Sequence, residues 1–322
     1  MAAEADEPAQ GEPAAGSAQP RQFIVTVYGL YSRAGLDSET GAHAESGGGG
    51  WLSVATLIGL LADLGIEAPA VRSSISRLKR RGLLRSERRN GSAGYALSDE
   101  GLAVLREGDR RIFRRERATP DDGWLLAVFS VPESERSKRH LMRSRLTRLG
   151  FGTASAGVYI APAHLYGATA EMLRRLDLDG YADLFRADHL AFGPLDEKVR
   201  EWWDLDQLES LYGEFVRKHA RVLDRLPTGA GAETDSGAGS GADPGADPGA
   251  AERDAFVDYV RVLTDWRQLP YLDPGLPAEL LPDHWVGIRA AELFFTLQSR
   301  LEAGARAHVT RESGHGRGRA GS

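Results

Sequence analysis

Apolar positions between residues 51 and 82 recur with the spacing of two consecutive helices. Val54, Leu57, Ile58 and Leu61 make the first stripe, and Gly65 ends that helix. Val71, Ile75 and Leu78 make the second; at about 100° per residue they fall within roughly 60° of one another. Pro69 suits the first turn of this second helix, where a missing N–H costs nothing, and Gly82 closes it. The pattern then changes. Leu83–Arg89, an Asn90-Gly91 turn signal and Tyr95–Leu97 predict a β-hairpin. Ser98 ahead of Asp99 and Glu100 predicts the N-cap of a further helix over 98–116. Residues 21–34 fit a strand through Ile24, Val25, Thr26 and Val27, and a helix through Phe23, Val27, Leu30 and Tyr31. Helix, turn, helix and hairpin in that order predict a winged helix-turn-helix over 21–118. That module needs a first helix, so 21–34 is read as helical.

Farther along, Trp124–Val131 and Ala156–Ala161 read as buried strands. Between them Ser134–Leu149 is a basic amphipathic helix with Leu141, Leu146 and Leu149 inside, broken by Gly150-Phe151-Gly152. Leu165–Leu176 is a second helix, and Leu184–Ala191 a third strand. A β-α-β-α-β order suggests a ferredoxin-like domain of α+β class over 119–195. Residues 196–225 predict a long helix or a helix pair. Arg253–Trp266 and Trp285–Ala303 are helical, and the four prolines between them exclude one continuous helix. A helical C-terminal domain over 196–310 follows. Residues 1–20, the insert 35–50, the linker 227–251 with its GADPGADPGA repeat, and the tail 311–322 are too polar and Gly-rich to pack and are expected to be disordered.

Composition narrows the chemistry. A chain of 322 residues with 42% hydrophobic content supports two or three domains. The absence of cysteine removes disulfides, thiolate zinc sites and cysteine nucleophiles, and fits a reducing cytoplasm. The first twenty residues lack the basic and apolar regions of a secretion signal. No apolar run approaches the roughly 18 residues of a membrane span. His140, His164, His189, His219 and His284 are scattered without metal-ligand spacing, and neither a nucleophile elbow nor a P-loop occurs. No catalytic residue, metal or cofactor is expected.

Charge adds a partner. The outer face of the second helix carries Arg72, Ser73, Ser76, Arg77 and Arg80, and the hairpin adds Arg85, Arg88 and Arg89. An arginine-bearing face alone is usually a solvated surface. Here, however, Arg72 to Arg117 holds fourteen Arg or Lys against six Asp or Glu, about +8 in a chain of net −6. A basic module on an acidic body binds a polyanion locally and repels it elsewhere. These eight residues are the candidate contacts to double-stranded DNA.

Three stretches, VRSSISRLKRRGLL, LGFGTASAGVYIAP and LPYLDPGLPAELLPDHW, make the chain resemble the PaaX family of bacterial transcriptional repressors, named for control of phenylacetic acid catabolism. The resemblance runs from Phe23 to Leu301. It implies a winged helix-turn-helix, a Cas2-like middle domain and a helical C-terminal domain. It also implies a homodimer on palindromic operator DNA that an acyl-CoA such as phenylacetyl-CoA releases. For such an effector, Arg139 and Arg143 are candidate phosphate contacts, and Trp203, Trp266 and Trp285 candidate walls of an apolar slot. Two competing readings are weaker. An acyl-CoA-acting enzyme lacks a catalytic motif. A Cas2-like metal-dependent nuclease would need an acid at the end of the first middle strand, which runs Phe129-Ser130-Val131-Pro132.

Overall fold

A computed structural model describes residues 15–31, 50–113, 117–190, 192–226 and 248–318. The helices in chain order are α1 (Ala15–Tyr31), α2 (Val54–Asp63), α3 (Ala68–Arg80), α4 (Asp99–Phe113), α5 (Arg136–Arg148), α6 (Tyr166–Arg175), α7 (Leu195–Trp202), α8 (Leu205–Arg225), α9 (Pro248–Trp266), α10 (Leu269–Leu272) and α11 (Val286–Gly318). The strands are β1 (Trp51–Ser53), β2 (Leu84–Arg89), β3 (Ser92–Leu97), β4 (Trp124–Phe129), β5 (Gly152–Ser155), β6 (Val158–Pro162) and β7 (Ala182–Ala187). The chain divides into two compact units. One comprises Met1–Leu105, Ser236–Thr264 and Leu301–Ser322; the other comprises Arg106–Asp235 and Asp265–Arg300.

In the first unit, α1 settles the strand–helix ambiguity. Ile24, Val27 and Tyr28 are fully buried at helical spacing. The helix starts at Ala15, inside the stretch expected to be disordered. Leu57, Leu60, Leu61, Val71, Ile75 and Leu78 complete the core from α2 and α3. Ser53 caps α2 by accepting from the Thr56 N–H at 2.9 Å. Gly65 and Gly82 take positive φ where the two helices end, as a C-terminal glycine does. Asn90 and Gly91 both have positive φ, which a two-residue hairpin turn of the I′ kind requires. Ser98 accepts from the Gly101 N–H at 3.0 Å and so caps α4.

One strand in this unit was not expected. β1 pairs antiparallel with β3, giving a three-stranded sheet in the order β1-β3-β2. Its partner must carry a glycine, because a Cβ at Gly94 would lie 2.5 Å from the Leu52 carbonyl oxygen and 2.4 Å from the Trp51 ring. The later helices also reach this core. Thr26 and Thr264 hydroxyls meet at 2.8 Å, and His308 Nε2 lies 2.8 Å from Asp63 Oδ2 at the end of α2.

The second unit contains a four-stranded antiparallel sheet in the order β5-β6-β4-β7. The chain order is β-α-β-β-α-β, one strand more than expected. β5 occupies the stretch read only as a helix break, and the glycine there serves packing: a Cβ at Gly152 would lie 2.7 Å from the Trp202 carbonyl oxygen. Leu125, Ala127, Met142, Leu146, Phe151, Tyr159, Met172 and Leu173 form the core beneath α5 and α6. Residues 196–225 resolve into the pair α7 and α8, with Asp204 capping α8 by accepting from the Gln207 N–H at 2.9 Å. Four prolines hold the segment after α9 in short turns. There the buried Asp273 accepts from the Tyr212 hydroxyl at 2.9 Å and from the Gly275 N–H at 2.8 Å.

Helix α11 continues to Gly318, past the expected end of the ordered chain at 310. Residues 248–251, expected to be linker, begin α9. The insert 35–49, most of the linker (227–247) and the last four residues lie outside the described residues, as do 1–14 and 114–116. Among the described residues no helix is long and apolar enough to cross a membrane, and no group of three or more His, Cys, Asp or Glu could hold a metal.

Candidate nucleic-acid interface

Helix α3 separates its residues by chemistry. Val71, Ser74, Ile75 and Leu78 face the core and are buried. Arg72, Ser73, Ser76 and Arg80 are exposed, and Arg77 is half-buried between the two faces. Arg77 Nη2 donates to Ser73 Oγ at 3.2 Å, which braces one member of the row on another. Arg80 and Arg72 form no ion pair among the described residues, so their guanidinium groups can donate outward. Behind this row lies Arg21 of α1, a cation that the sequence did not single out. Burial, followed by the charges of Arg81 and Arg77, holds its pKa below the ordinary arginine value. An arginine remains protonated despite such a shift, so the cluster is a concentrated positive site. No local signal could have marked Arg21, because its place depends on how α1 packs against α3.

The hairpin distributes its arginines differently from the simple expectation. Residues alternate between the two faces of a strand. Arg85, Glu87 and Arg89 therefore share one face of β2, and Arg88 takes the other. Glu87 pairs with Arg85 at 2.9 Å and with Arg89 at 2.5 Å. The bond from Arg89 and the charges of both arginines hold its carboxyl below the usual carboxylate range. Arg89 also lies over the Trp51 ring, 5.7 Å from its centroid. Arg88 Nη2 donates to the Gly91 carbonyl oxygen at 2.8 Å and stays at the exposed tip. The structure thus brings Arg85 and Arg89 together around an acid and sets Arg88 apart.

This geometry sits within a chain that matches three family models in succession. The PaaX-like protein model covers residues 41–101, the PaaX protein central Cas2-like domain covers 117–199, and the PaaX-like protein C-terminal domain covers 243–311. The transcriptional repressor PaaX of Escherichia coli (strain K12) is 26% identical over 265 residues, 81% of this chain and 78% of that protein. The chain belongs to the PaaX family. A solved structure, the uncharacterized protein Rv0674 from Mycobacterium tuberculosis, superposes with a TM-score of 0.53 at 23% identity, covering 88% of this chain and 97% of that one. It supports the fold alone.

The remaining candidates of this PaaX family member fall into two groups. Arg139 and Arg143 line one cavity of about 300 Å³ in the Cas2-like stretch. The three tryptophans do not line it. Trp203 donates its N–H to the Gly150 carbonyl oxygen at 2.8 Å and packs on Trp124 at 6.0 Å. Trp266 is fully buried, donates to the Ile112 carbonyl oxygen at 3.1 Å and stacks on Phe294 at 4.7 Å. Trp285 is buried edge-on against Tyr212 at 6.1 Å. Each ring packs in the core; the first two satisfy their N–H on backbone, and the buried Trp285 Nε1 has no partner among the described residues.

Proposed function

We propose that this PaaX family member is a sequence-specific DNA-binding repressor and not an enzyme. The observation that carries the reading is the row on α3: Arg72, Ser73, Ser76, Arg77 and Arg80 opposite a buried apolar stripe. In this reading α1, α2 and α3 with the β2–β3 hairpin form a winged helix-turn-helix over 21–118, and α3 lies in the major groove. The β5-β6-β4-β7 sheet with α5 and α6 is a ferredoxin-like domain over 119–195, and residues 196–310 form the helical C-terminal domain. The protein acts in the cytoplasm as a homodimer on a palindromic operator of a catabolic operon. An acyl-CoA such as phenylacetyl-CoA binds the region after residue 118 and releases it. Support comes from the family, from its Escherichia coli member being named a transcriptional repressor, and from a β4 that is followed by Ser130 where nuclease chemistry needs an acid.

Footprinting on DNA upstream of the chain's own gene tests this. A dimer protects two half-sites about 34 Å apart, or a multiple of that spacing. Added phenylacetyl-CoA removes the protection. Binding that ignores sequence would refute the operator reading. Protection that persists at saturating phenylacetyl-CoA would refute only the effector.

The hairpin arginines meet phosphate or the minor groove. Replacing Arg85, Arg88 and Arg89 together by alanine lowers the slope of log K against log salt by about 0.9 for each phosphate no longer neutralised. Because Arg85 and Arg89 share Glu87, whose single charge offsets one of them, the expected drop corresponds to about two phosphates. A slope equal to that of the unsubstituted protein would remove the hairpin from the interface.

A further inference from the structure

We infer that the cavity at the C-terminal end of β4 is a phosphate-group site, formed by Arg139 and Arg143 over Phe129 and Tyr159 and edged by Ser130 and Thr153. The inference rests on the effector reading only for the ligand's identity.

The position comes first. This is the end of the strand where metal-dependent hydrolysis would need a carboxylate. Here Ser130 follows the strand, and the adjacent helix α5 supplies arginines and no acid along its whole length. An anion is therefore the species that fits.

Both arginines are held in place. Arg139 Nη2 donates to the Val131 carbonyl oxygen at 2.7 Å, and its Nη1 meets Glu133 at 2.9 Å. Glu133 is 79% exposed, so its charge is strongly screened. Arg143 Nε donates to the Tyr159 hydroxyl at 3.2 Å, and its two terminal nitrogens have no partner among the described residues. That leaves the forked end of a guanidinium open, the geometry that grips two oxygens of one phosphate. The floor is apolar: the Phe129 and Tyr159 rings lie 5.6 Å apart.

The β5–β6 hairpin, through Thr153, Ser155, Ala156 and Gly157, forms another wall. The pairing of β5 with β6 shifts register between Thr153 and Ser155, and such a bulge re-aims side chains. Gly157 closes the hairpin at φ +78°, and its carbonyl oxygen accepts from the Phe129 N–H at 2.9 Å, fixing the hairpin to β4.

Size limits the ligand. A cavity of about 300 Å³ stands at the small end of ligand pockets. It takes a phosphate or diphosphate group, not a whole thioester. The source is either the phosphorylated part of a CoA or a free phosphate compound.

Calorimetric titration of the full chain with inorganic pyrophosphate is the test. Arg139→Gln and Arg143→Gln are each expected to weaken binding about tenfold or more, as loss of a charge-assisted bond does. Arg145→Gln, on the same helix but outside the cavity, is expected to leave it within about twofold. No binding, or an equal loss with Arg145→Gln, overturns the site. Competition then identifies the source. Displacement of pyrophosphate by free CoA and by phenylacetyl-CoA supports the CoA source. Pyrophosphate binding that neither displaces keeps the site and assigns it to a free phosphate compound. Operator release by phenylacetyl-CoA that is unchanged in Arg143→Gln overturns the site's part in release while the effector reading survives.

Discussion

Arg77→Ala and Arg80→Ala are each expected to weaken operator binding by about 1–3 kcal/mol, roughly 5- to 150-fold, and to weaken binding to unrelated DNA far less. Arg80 is exposed in the last turn of α3 and is engaged by no acid among the described residues. Its fork can therefore pair with both acceptors of a guanine. Arg77 is tethered through Ser73 at 3.2 Å, which restrains its side chain before DNA arrives. Less ordering entropy remains to be lost on binding. Ser73→Ala should reproduce a part of the Arg77 effect, because it removes the brace and leaves the charge. Competition between labelled operator and a scrambled duplex at fixed salt measures the difference. Equal losses on both duplexes would assign these arginines to phosphate.

Trp266→Ala is expected to destabilise the protein by about 3–5 kcal/mol. The ring is fully buried and stacks on Phe294 with planes 10° apart. It also packs on Phe215 at 5.4 Å and on Tyr212 at 6.2 Å. Truncation leaves a cavity among these rings and strips the Ile112 carbonyl oxygen of its donor. Denaturant unfolding measures the loss as a lower midpoint at unchanged slope. A variant that unfolds like the unsubstituted protein but no longer responds to phenylacetyl-CoA would instead make Trp266 part of an effector pocket.

What the sequence determined was whatever depends on neighbours a few residues away. The stripes of α2 and α3 are set by 3.6-residue periodicity. The ends at Gly65 and Gly82, the turn at Asn90-Gly91 and the cap at Ser98 are set by local backbone chemistry. The row Arg72, Ser73, Ser76, Arg77 and Arg80 follows from the same periodicity, so the candidate interface is legible in the linear chain. Tertiary structure alone decided the rest. β1 has three residues, too few to carry a period of two, and it exists only through its pairing with β3 more than forty residues on. β5 has four, and its pairing with β6 slips register between Thr153 and Ser155, which a strict alternation does not reveal. Gly152 reads locally as no more than a helix break, and nothing in the linear pattern marks Gly94, yet a Cβ at either would meet a backbone oxygen. Arg21 joined the positive cluster, and Glu87 neutralised part of the hairpin, through packing and strand alternation. The burial of Trp203, Trp266 and Trp285 was likewise beyond the sequence, because an aromatic side chain suits a pocket and a core equally well. Only the position of surrounding side chains distinguishes the two, and a linear pattern does not carry that position.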